Sequence, residues 1–169
     1  LDEPGEQARR DFTLVLKGHI GLATLKFPQG TSGGMIDAIS REHLWRERMT
    51  FRHGTGHGVG FYLNVHEGPQ RIGQSDSGSA LLPGMIISNE PGLYRPEQYG
   101  IRIENLVVVQ EDGTSEFGRF CSFETVTLCP LDRKLIEIPL LSEGERQWID
   151  DYHRLVRERL LGQLEDEVA

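Results

Sequence analysis

The stretch FRHGTGHGVGFYLNVHEGP, residues 51–69, carries three of the six histidines in this 169-residue chain. They are His53, His57 and His66, and glycines stand between and after them at positions 54, 56, 58 and 60. Because glycine has no Cβ atom, such a backbone can turn sharply and come close to other groups. Taken alone, this segment is equally compatible with a metal or catalytic site and with a glycine-rich loop that carries stray histidines.

The composition indicates a globular protein with an acidic balance. Hydrophobic residues make up 37% of the chain, charged residues 26%, and the net charge is −8. Proteins that bind nucleic acid need clustered lysine and arginine, so a nucleic-acid partner is not expected. No apolar run reaches membrane-spanning length, so a membrane partner is not expected either. Cys121 and Cys129 lack metal-type spacing, and we interpret them as reduced thiols in a cytoplasmic protein.

Two helices are predicted before the histidine stretch, and strands are predicted after it. The first helix follows a turn at residues 2–5 and runs to about Phe27, and the second runs from about Met35 to Trp45. The predicted strands are Met85–Glu90, Ile101–Gln110 and Phe120–Leu128, with a turn at residues 111–114. A last helix opens at Ser142, three residues before Glu145, which is capping-box spacing. This order predicts the α+β class with an antiparallel sheet.

Two carboxylates occupy positions where the sequence predicts strand. Side chains alternate between the faces of a strand, so Glu104 shares a face with Arg102 and Leu106, and we expect both faces to be substantially buried. Glu90 lies just before a Pro-Gly break, on the same strand face as Ile86 and Ser88, so its carboxylate could be buried as well. A buried carboxylate is costly unless it is paired or binds a metal. The alternatives are an ion pair between Glu104 and Arg102, and a solvated strand end for Glu90.

One histidine and two strand carboxylates would suit a divalent cation bound mainly by oxygen, such as manganese, cobalt or zinc. His53 and His57 have the spacing of the helical HExxH zinc motif, but the intervening glycines disfavour a helix and no glutamate follows His53. The glycines do not open a helix after a strand, so they form no dinucleotide-binding fingerprint. His19 and His43 lie on predicted helices, where a structural role is expected.

Four motifs, in order along the chain, resemble one family of enzymes. They are HGTGHGVG at 53–60, NVHEGP at 64–69, PGMIISNEPGLY at 83–94 and GIRIENLVVV at 100–109. They resemble the catalytic domain of Xaa-Pro aminopeptidase (aminopeptidase P), above all its cytosolic, multi-domain type. This family belongs to the pita-bread metallopeptidases, with prolidase, methionine aminopeptidase and the metal-free creatinase. The resemblance implies an α+β pita-bread fold, in which helices flank a curved antiparallel sheet.

The resemblance also implies a metal centre. Position by position, it assigns His57, Glu90 and Glu104 as metal ligands, with Glu104 bridging two metal ions. In this family the metals lower the pKa of a bound water and so supply hydroxide near neutral pH. Two divalent ions per active site are implied for the complete enzyme, with manganese favoured and zinc or cobalt as alternatives.

The same resemblance assigns catalytic roles around the metals. His53 and His66 correspond to histidines that contact substrate and stabilise the tetrahedral intermediate. Arg102 and Tyr94 correspond to a pair that orients a metal-bound aspartate. Glu90 is the candidate proton shuttle. The implied reaction is hydrolysis of the bond between the first residue of a peptide and a proline at position two.

One part of the family pattern has no counterpart here. Family members supply two aspartate ligands from a strand region before the first helix, and Asp2 and Asp11 have neither the spacing nor the context to replace them. We therefore expect residues 1–169 to be the C-terminal portion of a pita-bread catalytic domain, without the upstream strands and N-terminal domains. Such a piece is expected to hold at most one metal ion, weakly, with little or no activity. An open sheet edge would favour a homodimer.

Three alternative functions fit parts of this pattern. The first is a prolidase-type Xaa-Pro dipeptidase, and the second is a non-catalytic pita-bread module that only binds partners. The third is an amidinohydrolase like creatinase, which is disfavoured because that enzyme does not keep the His/Glu/Glu set. Glu124 shares a strand face with Val126 and Leu128 and is interpreted as structural.

Overall fold

The computed structural model describes residues 3–62, 64–75 and 78–164. The chain forms two compact units, of which one combines Leu1–Thr13 with Leu128–Ala169 and the other is Leu14–Thr127. The turn predicted at residues 2–5 begins at Asp2, which lies outside the described residues. Within the described part of the chain, each helix is too short or too polar to cross a lipid bilayer.

The elements follow the predicted order of helices, strands and a final helix. The helices are α1 (Glu6–Ala23), α2 (Gly33–Arg46) and α3 (Glu143–Leu160), with short 3₁₀ turns at Arg133–Leu135 and Ile138–Leu140. The strands are β1 (Phe27–Pro28), β2 (Gly56–His57), β3 (Arg71–Ile72), β4 (Ile86–Asn89), β5 (Gly92–Arg95), β6 (Tyr99–Arg102), β7 (Asn105–Ser115) and β8 (Gly118–Thr125). Helix α1 ends earlier than predicted, because Phe27 pairs with Cys121 as part of the sheet.

The main sheet of the Leu14–Thr127 unit is antiparallel, in the order β1-β8-β7-β4. Val107 lies opposite Ile87 on one side and Thr125 on the other. Alternate side chains of β7 therefore point into one core. That core contains Leu22, Phe27, Ile36, Ile72, Leu81, Ile87, Val107, Val109 and Cys121. The predicted antiparallel α+β arrangement is confirmed.

The turn predicted at residues 111–114 is wrong. Strand β7 continues to Ser115, and its register with β8 shifts between Glu111 and Gly113. Gly113 has φ +107°, which fits a bulge inside the ladder, and the chain reverses only between Ser115 and Gly118. The glycine therefore marks an irregularity within a long hairpin.

The strand predicted at 101–110 is interrupted at Ile103 and Glu104. The residues before the break, in β6, pair with β5, whereas those after it, in β7, pair with β4 and β8. Glu104 is exposed, and the Arg102 side chain is 44% exposed. The expectation that both faces of this strand are buried is therefore wrong, because two different ladders meet here and leave the junction open to solvent.

The other unit contains α3, whose N-terminus is the predicted capping box. The Ser142 hydroxyl accepts from the Glu145 N–H, and the Glu145 carboxylate accepts from the Ser142 N–H at 2.7 Å. Tyr152 of α3 is buried, and its hydroxyl donates to the Cys129 carbonyl at 2.9 Å.

Candidate metal centre

The position of His57 depends on the close approach of its neighbouring glycines to other backbone segments. A Cβ atom on Gly56 would lie 1.9 Å from the Ser88 carbonyl oxygen, and one on Gly58 would lie 2.0 Å from that of Glu67. Any larger residue at either position would force the strands apart. The glycines of the histidine stretch thus allow His57, at the end of β2, to lie directly beside β4.

Glu90 follows β4, one residue beyond the end of the strand, and is buried. Its N–H donates to the Thr55 carbonyl at 2.8 Å, which ties the end of the strand to the histidine stretch. Its Oε1 accepts from the Ser88 hydroxyl at 2.9 Å, and its Oε2 accepts from Arg102 at 3.0 Å. The carboxylate is therefore held from two sides, and the solvated strand end considered above does not describe it.

His57, Glu90 and Glu104 converge. Each offers one ligand atom, and these atoms all lie within 4.8 Å of one another. The His57 Nε2 atom lies 3.1 Å from Glu90 Oε1. The His57 Nδ1 atom lies 3.0 Å from the Gly58 carbonyl oxygen, which can only accept, so Nδ1 carries a proton and Nε2 is the ring nitrogen that faces the carboxylates.

This donor set fits a divalent cation. Two carboxylates and one imidazole place negative charge and three donor atoms within 4.8 Å of one another. Glu104 lies in the break between β6 and β7, where its exposure leaves an oxygen free to turn toward the other two residues. The break that makes this strand irregular is therefore what brings the third carboxylate to the cluster.

A chain of hydrogen bonds connects His53 to the same cluster. The His53 Nδ1 donates to the Gly54 carbonyl at 2.7 Å, so its Nε2 accepts from the Tyr94 hydroxyl at 2.9 Å. Arg102 donates to the Tyr94 oxygen at 2.8 Å and also to Glu90. Burial disfavours the charge on Arg102, but the bond to Tyr94 and the nearby carboxylates outweigh it and raise the pKa of the guanidinium.

His66 lies on the hairpin that follows His57. Its ring is 4.1 Å from the His57 ring, centroid to centroid, although the residue is exposed. Together with His53, Glu90 and Arg102, these two histidines line a cleft of about 410 Å³. The structure thus brings the predicted catalytic residues to one cleft, while their roles stay predictions.

Sequence reasoning missed a buried ion pair behind the cleft. Arg41 of α2 is 1% exposed and binds both carboxylate oxygens of Asp37, at 2.6 and 3.1 Å. It also donates to the carbonyl oxygens of Phe51 and His53, at 2.7 and 2.9 Å, while the Thr55 hydroxyl donates to Asp37 at 2.6 Å. The i,i+4 spacing was visible in the sequence, but a surface ion pair has the same spacing.

Other titratable residues have structural surroundings. His19 is fully buried, with its Nε2 2.8 Å from the Asn105 side-chain oxygen, as expected for a packed helix residue. Burial lowers the pKa of His19 to about 4, against the opposing effect of its hydrogen bonds. Glu124 is exposed and accepts from Gln110 at 2.6 Å. His43 is half-buried on α2.

Comparison with known proteins identifies the family. Residues 1–111 match metallopeptidase family M24, and residues 119–169 match the C-terminal region of peptidase M24. The chain belongs to metallopeptidase family M24. The similarity that the four sequence motifs indicated is thereby confirmed.

The M24 relatives include fungal proteins of high identity. A probable Xaa-Pro aminopeptidase P of Coprinopsis cinerea is 49% identical over 93% of this chain and 26% of its own length. A probable Xaa-Pro aminopeptidase P of Talaromyces stipitatus is 51% identical over 94% of this chain and 25% of its own length. The chain thus spans about a quarter of the length of these relatives.

Solved M24 structures confirm the fold. An X-prolyl aminopeptidase from Caenorhabditis elegans, described as a cytosolic enzyme with a di-nuclear active site, matches 95% of this chain and 27% of its own, with TM-score 0.87 and 42% identity. A prolidase from Pyrococcus furiosus matches 72% of this chain and 33% of its own, with TM-score 0.60 and 33% identity. The chain has part of the α+β pita-bread fold that was predicted.

Proposed function

We propose that the protein carrying this chain is a divalent-metal aminopeptidase that removes the first residue from peptides with proline at position two. The convergence of His57, Glu90 and Glu104 within 4.8 Å carries this proposal. Two further observations support it: the chain belongs to a metallopeptidase family, and its fungal relatives are named probable Xaa-Pro aminopeptidase P.

His57, Glu90 and Glu104 would hold the metal in this function. When bound, a divalent cation activates water for attack at neutral pH and polarises the peptide carbonyl. The oxygen-rich donor set favours manganese, with zinc or cobalt as alternatives. The di-nuclear site described for the Caenorhabditis elegans enzyme supports two ions in the complete enzyme.

Glu90 is proposed to move the proton. Its Oε1 lies beside His57 Nε2, and its Oε2 is held by Arg102, so the carboxylate has one defined orientation. During attack on the carbonyl carbon, Glu90 would accept the proton of the water. As the C–N bond breaks, Glu90 would deliver that proton to the proline nitrogen of the departing peptide.

The two other histidines are proposed to contact the substrate. His53 and His66 line the cleft together with His57. The exposed imidazole of His66 can donate to an oxyanion that develops on the substrate. His53 would have to exchange its bond to Tyr94 for a contact with the substrate. Tyr94 is proposed as a supporting residue, because its hydroxyl joins His53 to Arg102. These assignments follow the family resemblance and the contacts within the cleft.

The wider biological setting is also proposed. We propose that residues 1–169 are the C-terminal portion of a pita-bread catalytic domain, because residues 119–169 match the C-terminal region of peptidase M24 and the chain spans about a quarter of the length of its relatives. A cytoplasmic location is proposed because the Caenorhabditis elegans relative is described as cytosolic. The homodimer stays a prediction, and light scattering at several protein concentrations would test it.

A substrate series tests the proposed function. The protein should be expressed from its complete open reading frame, loaded with Mn²⁺, and assayed with tripeptides that carry proline or alanine at position two. We expect release of the first residue only from the proline peptides, and no release by the His57→Ala variant. Equal cleavage of the alanine peptides, or activity that survives this substitution, would contradict the proposal.

A prolidase-type dipeptidase is the second candidate, favoured by the match to the Pyrococcus furiosus prolidase. Xaa-Pro dipeptides decide between the two functions, because a prolidase acts on the dipeptide. We expect the tripeptide to be cleaved with the higher kcat/KM. Cleavage of the dipeptide alone would favour the prolidase assignment.

A further inference from the structure

Ser88 is fully buried in β4 and lies between two of the proposed metal ligands. Its Oγ atom is 2.9 Å from the backbone nitrogen of His57 and 2.9 Å from Oε1 of Glu90. A backbone N–H can only donate, so the hydroxyl must accept from His57. Its single proton is then available for the Glu90 carboxylate, which can only accept when ionised.

We propose that Ser88 is a positioning residue that links two metal ligands and fixes their relative placement before a cation binds. The inference rests on the proposed function, since it assumes that His57 and Glu90 bind the same ion. The side chain of Ser88 acts on the backbone of one ligand and on the carboxylate of the other. Moving either ligand would therefore break one of its two hydrogen bonds.

The strand geometry makes this link specific to position 88. Residues two apart on a strand point to the same face, so Ser88 presents its hydroxyl on the side where Glu90 follows. On the neighbouring segment, Gly56 allows the backbone to reach within van der Waals contact of the Ser88 carbonyl. A short side chain at 88 and no side chain at 56 are both needed for the His57 amide to reach this hydroxyl.

The hydrogen bond from Ser88 restricts the rotation of the Glu90 carboxylate. Ser88 holds Oε1, the oxygen that lies 3.1 Å from His57 Nε2, while Arg102 holds Oε2. Arg102 is 44% exposed at its side chain, whereas Ser88 is fully buried and makes short contacts. The Ser88 contact is thus the more rigid of the two restraints on the oxygen that faces His57.

The same two hydrogen bonds could also serve only to stabilise the fold. The effect of a substitution on metal affinity therefore has to be measured separately from its effect on stability. The metal affinity of the protein expressed from its complete open reading frame would be measured by calorimetric titration with MnCl₂ and with CoCl₂. Partners that orient metal ligands typically contribute about 10- to 100-fold in affinity. We expect a loss of this size for Ser88→Ala, and substantial recovery of affinity for Ser88→Thr, which keeps the hydroxyl.

Thr31→Val provides a matched control. The Thr31 hydroxyl is buried and donates to the Pro28 carbonyl at 2.7 Å, remote in sequence from the three proposed ligands. We expect Thr31→Val to lower the melting temperature while leaving the affinity for Mn²⁺ and Co²⁺ unchanged. A Ser88→Ala variant that keeps wild-type affinity, or loses no more affinity than Thr31→Val, would overturn the proposal.

Amide hydrogen exchange in the absence of metal gives a second measurement. Because the His57 N–H donates to Ser88, this amide should exchange faster in Ser88→Ala and stay protected in Thr31→Val. Unchanged exchange at His57 in Ser88→Ala would count against the link. If the wild-type complete protein binds neither cation, the metal centre of the proposed function fails; if it binds and Ser88→Ala binds equally well, only the role of Ser88 fails.

Discussion

His19 and His57 belong to the same unit but differ in burial and in the charge of their neighbours. Two consecutive residues, Glu104 and Asn105, lie beside one histidine each. Asn105 lies beside His19 within the fold, whereas Glu104, one residue earlier, lies beside His57. His19 is fully buried against an amide oxygen, while the His57 side chain is 23% exposed and faces two carboxylates.

The contrast shows how the charge of the neighbouring groups determines whether the surroundings of a histidine suit a cation. Burial lowers the pKa of His19 to about 4, and the hydrogen bond to the neutral amide of Asn105 opposes this only in part, so the imidazole is neutral at pH 7. Two carboxylates beside His57 concentrate negative charge that a cation would stabilise. The two histidines therefore differ in their neighbours: His19 lies beside the amide of Asn105, whereas His57 lies beside two carboxylates.

The largest expected effect is the loss of metal binding on substitution of His57. His57→Ala removes one of three ligands and should weaken Mn²⁺ binding by more than about 100-fold, beyond the loss typical of outer partners. His19→Gln should leave the affinity unchanged. Isothermal titration of the two variants and the wild type measures this, and similar losses in both variants would remove the distinction between the two histidines.

The next effect is on stability against acid. His19 has a folded-state pKa of about 4 against an ordinary value of 6.5. Between these values the unfolded chain binds the proton and the folded chain does not, so stability is full above about pH 6.5 and falls toward pH 4. The contribution lost amounts to about 3 kcal/mol.

Urea unfolding of the wild type and His19→Gln at pH 7 and pH 4.5 measures this effect. Carboxylates elsewhere contribute to acid unfolding in both proteins, so the informative quantity is the difference between the two pH dependences. We expect a smaller loss of stability in the variant. Identical pH dependences would show that His19 does not carry the effect.

A smaller effect is stabilisation by the metal itself. At a Mn²⁺ concentration ten times Kd, a ligand that binds only the folded state adds about 1.4 kcal/mol to the free energy of unfolding. We expect this in the isolated 169-residue piece, with at most one ion per chain by metal analysis, and not in its Glu104→Gln variant. Two tightly bound ions per chain would contradict the expected stoichiometry.

The smallest effect is expected at Glu124. It is exposed and bonded to Gln110, so Glu124→Gln should change the free energy of unfolding by less than about 0.5 kcal/mol and leave Mn²⁺ affinity unchanged. The same titration and urea experiments measure both quantities. A clear loss of affinity would place Glu124 in the site and extend the cluster beyond the β6–β7 break.

Much of this contrast could be predicted from the sequence. The alternating glycines and the position of Glu90 before Pro91 identified a site, and the helical setting of His19 indicated a packed residue. Hydrophobic spacing is local, so it also located α1, α2 and the capped start of α3.

The rest depended on long-range pairing that local patterns do not contain. The sequence from Ile101 to Gln110 alternates like one strand, yet β6 and β7 pair with different partners, and only that choice exposes Glu104. Likewise, the roles of Ser88 and Arg41 come from contacts with His57 and His53, and nothing local to either residue indicates them.

The break at Ile103 and Glu104 has a consequence for how this chain tolerates change in length. Deleting Ile103 while β5 and β6 stay paired would carry Asn105 to the place of Glu104, so the cluster would exchange a carboxylate for a neutral amide and lose a charge. Homologous sequences should therefore vary in length at the β7–β8 hairpin tip, where added residues extend into solvent. Between β6 and β7 their spacing should be invariant, even where the residue types differ.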